Sequence, residues 1–177
     1  MMDRSNGLVH QNVKRIFAIW NVIHGCLNGL VNILKVESGS KSEMGVEQTL
    51  ILVKPDAFKR KLIGKIIQRF EEKGFDIKRL KTYDFTDEKA HDFYSIHQSK
   101  PFFKELVSFV CSGTVVACIL EGNNAISTVR IMIGLTKSFD AAPGTIRGDF
   151  GLGITDNIIH ASDSHESFIK ESSVVFL

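Results

Sequence analysis

A chain of 177 residues with 44% hydrophobic content can enclose one compact core, so a single globular domain is the expectation. Its 22 Lys and Arg against 20 Asp and Glu give a net charge of +2; residues 1–43 hold five and three of these, which leaves seventeen of each sign in residues 44–177. A core neutral in bulk gives no support to nucleic-acid binding, and Cys26, Cys111 and Cys118 are too few and too scattered for a disulfide framework or a zinc site, so they read as reduced thiols.

Residues 1–43 differ in character from the rest of the chain. Ile16 to Leu34 runs nineteen residues without a charge, which on length alone suits a membrane span. Asn21, His24, Asn28 and Asn32, however, recur at helical spacing and form a polar stripe opposite Ile19, Ile23 and Leu30, the pattern of an amphipathic segment. Arg4, Lys14 and Arg15 precede it as in a targeting presequence, but no convincing cleavage site lies beyond it. The reading is a dispensable N-terminal extension ending in a Ser- and Lys-rich linker from Val36 to Glu43, with no membrane association expected and organelle targeting the minor alternative.

From Gln48 the chain becomes regular. Thr49 to Val53 is a nearly all-apolar run that reads as a central strand, stopped at Pro55. Leu62, Ile63, Ile66, Ile67 and Phe70 keep helical spacing, with Gly74 as the C-terminal cap. Phe75 to Phe85 is extended, with a phase slip near Lys78-Arg79. Thr86 is the N-cap of a helix carrying Ala90, Phe93, Tyr94 and His97, and a second helix after Pro101 presents Phe103, Leu106, Val107 and Val110. Thr114 to Leu120 is a β-branched strand. Asn123 or Asn124 caps a helix that runs through Ile133 and ends at Gly134. Next come a loop of roughly 135–156, a strand ending at His160, a short helix from His165 to Glu171, and a final edge strand from Ser173 to Leu177. The order strand–helix–strand–helices–strand–helix–loop–strand is that of an α+β, ferredoxin-like sandwich, an antiparallel sheet with helices packed on one face. Periodicity alone leaves that topology open.

Pro143 to Ser164, reading PGTIRGDFGLGITDNIIHASDS, concentrates the chemistry. Glycines permit sharp turns and close backbone approach to a ligand, Arg147 offers a donor fork that suits phosphate oxygens, and a His at a strand end beside such a loop is placed as a nucleophile. A lone His there would more often be a satisfied core residue. Arg130 sits on the helix before the loop, on a face otherwise directed at the core, where a phosphate is a better partner than solvent.

Two runs in this stretch, NIIHASDS at Asn157 to Ser164 and GTIRGD at Gly144 to Asp149, resemble the signatures of nucleoside diphosphate kinases. The resemblance runs without an evident gap from about Val46 to the C-terminus, with Met44 standing where a typical member begins, so residues 44–177 form the expected kinase domain. It implies the ferredoxin-like topology and a ping-pong transfer of the γ-phosphate of ATP or another nucleoside triphosphate to a nucleoside diphosphate through phosphorylated His160. By position, Lys54 of the KPD triplet resembles the lysine near the terminal phosphate, and Tyr94 the tyrosine beside the histidine. Phe102 resembles the phenylalanine on which the base stacks. Thr136 joins Arg130 and Arg147 as a phosphate donor, Asn157 resembles the residue at the ribose hydroxyl, and Glu171 the carboxylate that orients the imidazole. Ser162 matches the family's serine, though it could equally cap the next helix. Mg²⁺ is expected on the phosphate oxygens, with no protein side chain as its ligand. The partners implied are nucleoside di- and triphosphates and further copies of the chain, a hexamer ahead of a tetramer or dimer, in the cytoplasm. The chain departs from the family pattern at Leu135, Lys137, Ser138, Asp156 and Ala161. A catalytically inactive nucleotide-binding module of the same fold is the alternative; the intact set of site residues argues against it.

Overall fold

The computed structural model describes residues 45–177; the amphipathic segment expected at Ile16 to Leu34, the linker to Glu43 and Cys26 lie outside them. Strands β1 (Val46–Val53), β2 (Asp76–Tyr83), β3 (Val115–Asn123) and β4 (Ile159–Ala161) form one sheet in the order β2-β3-β1-β4, each neighbouring pair antiparallel. The helices are α1 (Pro55–Lys59), α2 (Ile63–Glu72), α3 (Asp87–Phe93), α4 (Phe103–Val110), α5 (Ala125–Ile133), α6 (Ile146–Phe150) and α7 (His165–Phe176). The β1-to-β2 connection through α1 and α2 leaves room for β3, and the β3-to-β4 connection through α5 straddles β1, which is the expected ferredoxin-like topology.

Alternation along the central strands divides the core in two. Ile51, Val53, Val116, Cys118 and Leu120 pack with Ile66, Ile67 and Phe70 of α2 and Val129 and Ile133 of α5. Leu50, Leu52, Val115, Ala117 and Ile119 pack with Phe93 of α3, Phe103, Val107 and Val110 of α4, and Phe168, Val174 and Val175 of α7. The expected helical layer on one face is thus α2 with α5, and a second layer covers the other face too. The sequence of the central strands demands it, because a strand apolar at consecutive positions must be covered on both sides.

Several local expectations hold. Gly74 N–H reaches Glu71 O and Phe75 N–H reaches Phe70 O, the paired bonds of a Schellman end to α2. Thr86 Oγ1 caps α3 by accepting from Lys89 N–H. The phase slip near Lys78-Arg79 is a register shift of β2 against β3 between Ile77 and Arg79. At α5 Asn124 takes the N-cap position with φ 50, and the first-turn N–H of Ile126 donates to Glu47 Oε2 of β1 at 3.3 Å. The helix expected to reach His97 ends at Phe93 and continues, after Tyr94, as a 3-10 turn at Ser95–His97. One expectation fails: Ser173 to Leu177 is no edge strand, since α7 continues to Phe176. Phe168, Glu171, Val174 and Val175 share one buried helical face, and this packing overrides the β-branched preference of the valines.

Candidate active site

Period-two alternation aims the histidine. Ile159 and Ala161 are buried with the α2 and α5 layer, so His160, paired with Leu52, emerges toward α3, α4 and α7. Its ring lies edge-on to Phe93 and Tyr94, with centroids 5.4 and 6.0 Å away. Nε2 sits 2.9 Å from Glu171 Oε2, an ion-pair distance with the oxygen off the N–H direction of a hydrogen bond. Glu171 is buried and also accepts from Ser162 Oγ at 2.5 Å. Ser162 therefore anchors the carboxylate, while Ser164 caps α7 by accepting from Ser167 N–H. Nδ1 of His160 makes no hydrogen bond among the described residues and is the nitrogen left for a substrate.

The backbone just before β4 is strained. Ile158 has φ 73, a left-handed conformation that a β-branched residue rarely adopts, and Ile159 N–H closes the turn on Asn157 O at 2.8 Å. The KPD triplet holds both sides of it: Lys54 N–H donates to Ile158 O at 2.8 Å, and Asp56 Oδ2 accepts from Ile158 N–H at 3.0 Å. The end of β1 and the start of α1 thereby set the position of the histidine strand.

Lys54 Nζ donates to Asn157 Oδ1 at 2.7 Å and to Thr155 O at 3.2 Å. Burial, reinforced by the charge of Arg147, lowers its pKa to about 8. Asn157 Nδ2 donates in turn to Thr136 O and Ile154 O at 2.8 and 2.7 Å, which fixes its amide. Arg147 lies in α6, whose Thr145 cap accepts from Gly148 N–H. Its guanidinium donates to Gly134 O at 2.9 Å and Ile159 O at 2.7 Å, and its buried Nε has no partner among the described residues. Burial, then the charge of Arg130, lowers its pKa to about 10. Tyr94 is buried, its hydroxyl has no partner among the described residues, and burial plus the Glu171 carboxylate push the phenol far up, so it stays protonated.

Arg130 departs from expectation. Its side chain is exposed rather than directed into the core, with one long bond of 3.3 Å to Ala161 O. Thr136 is likewise exposed, and Phe102 is half exposed at the start of α4. All nine expected residues, Lys54, Tyr94, Phe102, Arg130, Thr136, Arg147, Asn157, His160 and Glu171, nonetheless line one cleft of about 560 Å³.

The cleft also includes residues that sequence reasoning passed over. His97 lies 6.0 Å from the Phe102 ring, and burial, then the charges of His160 and Lys100, lowers its pKa. Leu106, expected in the core, is only partly buried and lines the cleft, with Ile154, Thr155 and Asp163. Helical spacing placed Leu106 on the right element, while His97 falls on the 3-10 turn beyond its expected helix; nothing local marks Thr155 or Asp56, whose partners lie about a hundred residues away. Chemically, the cleft offers one imidazole nitrogen for attack, three cationic side chains and two unpaired buried donors, a set suited to an anionic group.

Comparison with known proteins identifies the family. The family model described as nucleoside diphosphate kinase matches residues 47–177. A nucleoside diphosphate kinase of Staphylothermus marinus is 55% identical over 133 residues, 75% of this chain and 94% of that protein. One from Hyperthermus butylicus is 56% identical over 133 residues, with the same shares. Among solved structures, the Aquifex aeolicus nucleoside diphosphate kinase superposes with a TM-score of 0.72 at 52% identity, over 73% of this chain and 94% of that one. A Halobacterium salinarum nucleoside diphosphate kinase in complex with CDP gives 0.72 at 43% identity, over 75% and 88%. With the family model covering nearly all of the described residues and relatives above 50% identity along three quarters of its length, this chain belongs to the nucleoside diphosphate kinase family.

Proposed function

We propose that this chain is a phosphotransferase that carries the γ-phosphate of a nucleoside triphosphate to a nucleoside diphosphate through a phosphohistidine at His160. The observation that carries the reading is the ring's setting, with Nε2 turned to buried Glu171 and Nδ1 free toward a cleft lined by Lys54, Arg130 and Arg147. In the first half-reaction Nδ1 attacks the γ-phosphorus, the bond to the β–γ bridging oxygen breaks, and the nucleoside diphosphate leaves. A second diphosphate reverses these steps with its terminal oxygen as nucleophile.

Nδ1 can attack only as a lone pair, so the ring proton must sit on Nε2, and the Glu171 carboxylate favours that tautomer and the positive ring that results. The three cations and the Tyr94 hydroxyl stabilise charge on the transferring oxygens. Thr136 adds a hydroxyl at the rim, Asn157 serves the ribose, and the exposed Phe102 ring takes the base, whose face is common to all nucleotides. Mg²⁺ would come with the nucleotide, on its phosphate oxygens, and the Asp163 carboxylate in the cleft can face a hydrated ion. When bound, it supplies charge neutralisation on the phosphates. The same reading makes the protein a cytoplasmic homo-oligomer, a hexamer ahead of a tetramer or dimer; exposed Leu135, Phe139 and Leu152 on the long loop provide apolar surface for contacts between copies.

The test is incubation with γ-labelled ATP. We expect an acid-labile, base-stable label on His160 that any nucleoside diphosphate discharges. Label on His165 or a serine would sink the assignment, and no label with intact nucleotide binding would favour an inactive module.

A further inference from the structure

Two contacts tie the base side of the cleft to its phosphate side. Phe102 is the N-cap of α4, and Glu105 stands on the first turn beyond it. Thr155 lies in the loop before β4, two residues ahead of Asn157. Thr155 Oγ1 donates to Glu105 Oε1 at 2.6 Å, and Thr155 O accepts from Lys54 Nζ at 3.2 Å. Lys54 Nζ also lies 5.7 Å from the centroid of the Phe109 ring, further along α4. Thr155 thus holds α4 with its side chain and the Lys54 ammonium with its backbone. Glu105 and Thr155 stand between the cleft and a second depression, which they line together with Ser108, Phe109, Ser112 and Asp156.

Resting on the kinase reading, we propose that Thr155 and Glu105 are positioning residues whose hydrogen bond fixes the span between the Phe102 platform and the cations that receive the phosphates. A nucleotide reaches across that span, with its base on Phe102 and its phosphates at Lys54. A cleft already held at the right width loses less free energy to ordering as the nucleotide binds. A ligand that occupies the phosphate end alone gains nothing from the bridge, because it does not touch the platform. Glu105 is exposed and the bond lies within reach of water. Its effect is therefore modest, about two- to tenfold in affinity for a whole nucleotide.

The experiment breaks the bridge from each side in the full chain. Thr155→Val removes the hydroxyl at nearly constant size and keeps the backbone oxygen that Lys54 uses, and Glu105→Ala removes the acceptor. Thr155→Ser and Glu105→Gln each retain a donor or acceptor for the pair. The measurements are Kd for ADP and for inorganic pyrophosphate, with kcat and KM for phosphotransfer to ADP. Thr155→Val and Glu105→Ala should each bind ADP about two- to tenfold more weakly, the loss falling on KM rather than kcat. Pyrophosphate should bind as it does to the unsubstituted chain, the double variant should lose no more than either single one, and Thr155→Ser and Glu105→Gln should recover most of the affinity. Unchanged ADP affinity in either disrupting variant, equal weakening of pyrophosphate, or losses that add in the double variant would overturn the assignment. Binding is read without chemistry. An enzyme that shows this binding pattern and never becomes phosphorylated would therefore overturn the kinase reading alone.

Discussion

Lys54 is a buried cation whose charge folding disfavours. Its pKa falls from 10.5 to about 8 on burial. Between those values the unfolded chain binds more protons than the folded one, so stability rises with pH from about 8 to 10.5, and the penalty is fully present below about 8. Activity should run the other way. The phosphates need the charged amine, so kcat/KM is expected to fall as pH rises through about 8. A profile flat to about pH 10 would show that the charge of Lys54 is not required. The two arginines separate by burial. Arg130→Ala removes an exposed donor and should lower kcat/KM about 10- to 100-fold, which is roughly the worth of one charge-assisted hydrogen bond, with thermal stability unchanged. Arg147→Ala should lose a similar factor and in addition roughly 2–4 kcal/mol of stability, because the Gly134 and Ile159 carbonyls lose their donor. Equal unfolding midpoints for the two variants would contradict this division.

At the scale of elements, the nucleophile stands on a three-residue strand whose entry is strained, and the KPD turn is what holds it there. Asp56→Ala leaves the Ile158 N–H without its acceptor in a partly buried place, at a cost of roughly 1–3 kcal/mol. The loosened turn should lower kcat more than it raises KM, because the ring is misplaced while the phosphate donors remain; single-turnover phosphorylation of the enzyme would separate the two. The long loop has its own close backbone contact. A Cβ on Gly148 would stand 2.1 Å from Ala142 O, so Gly148→Ala must displace α6 and Arg147 with it. Much of this was legible in the sequence. Apolar runs marked β1 and β3, helical spacing marked α2 and α4, and NIIHASDS with GTIRGD marked the site. What escaped notice depends on partners distant in the chain. Asp56 meets Ile158 and Thr155 meets Lys54 across the fold, the exposure of Arg130 reflects where α5 ends against β4, and Val174 and Val175 became helical because a second layer was there to receive them.

At the scale of the whole molecule, the folded unit can be delimited from its own bonds. β1 begins at Val46 and pairs along its length with β3, from Val46 opposite Asn123 to Val53 opposite Val116, and the family match begins at residue 47. Both faces of the sheet are covered by helices drawn from residues 55–176. Each of the nine site residues likewise comes from Lys54 onward. A chain beginning at Met44 should therefore keep the unfolding midpoint and phosphotransfer rate of the full chain. Glu47 marks how close that cut can come: it accepts from Ile126 N–H at the start of α5, so a chain beginning beyond it would leave that helix end without its acceptor and lose stability, by roughly 1 kcal/mol. The measurement is thermal unfolding and phosphotransfer for three chains, the full length, one from Met44 and one from Gln48. A fall already at Met44 would mean that residues 1–43 are an integral part of the fold. Equal stability accompanied by lost association with a membrane or organelle would instead assign those residues to targeting.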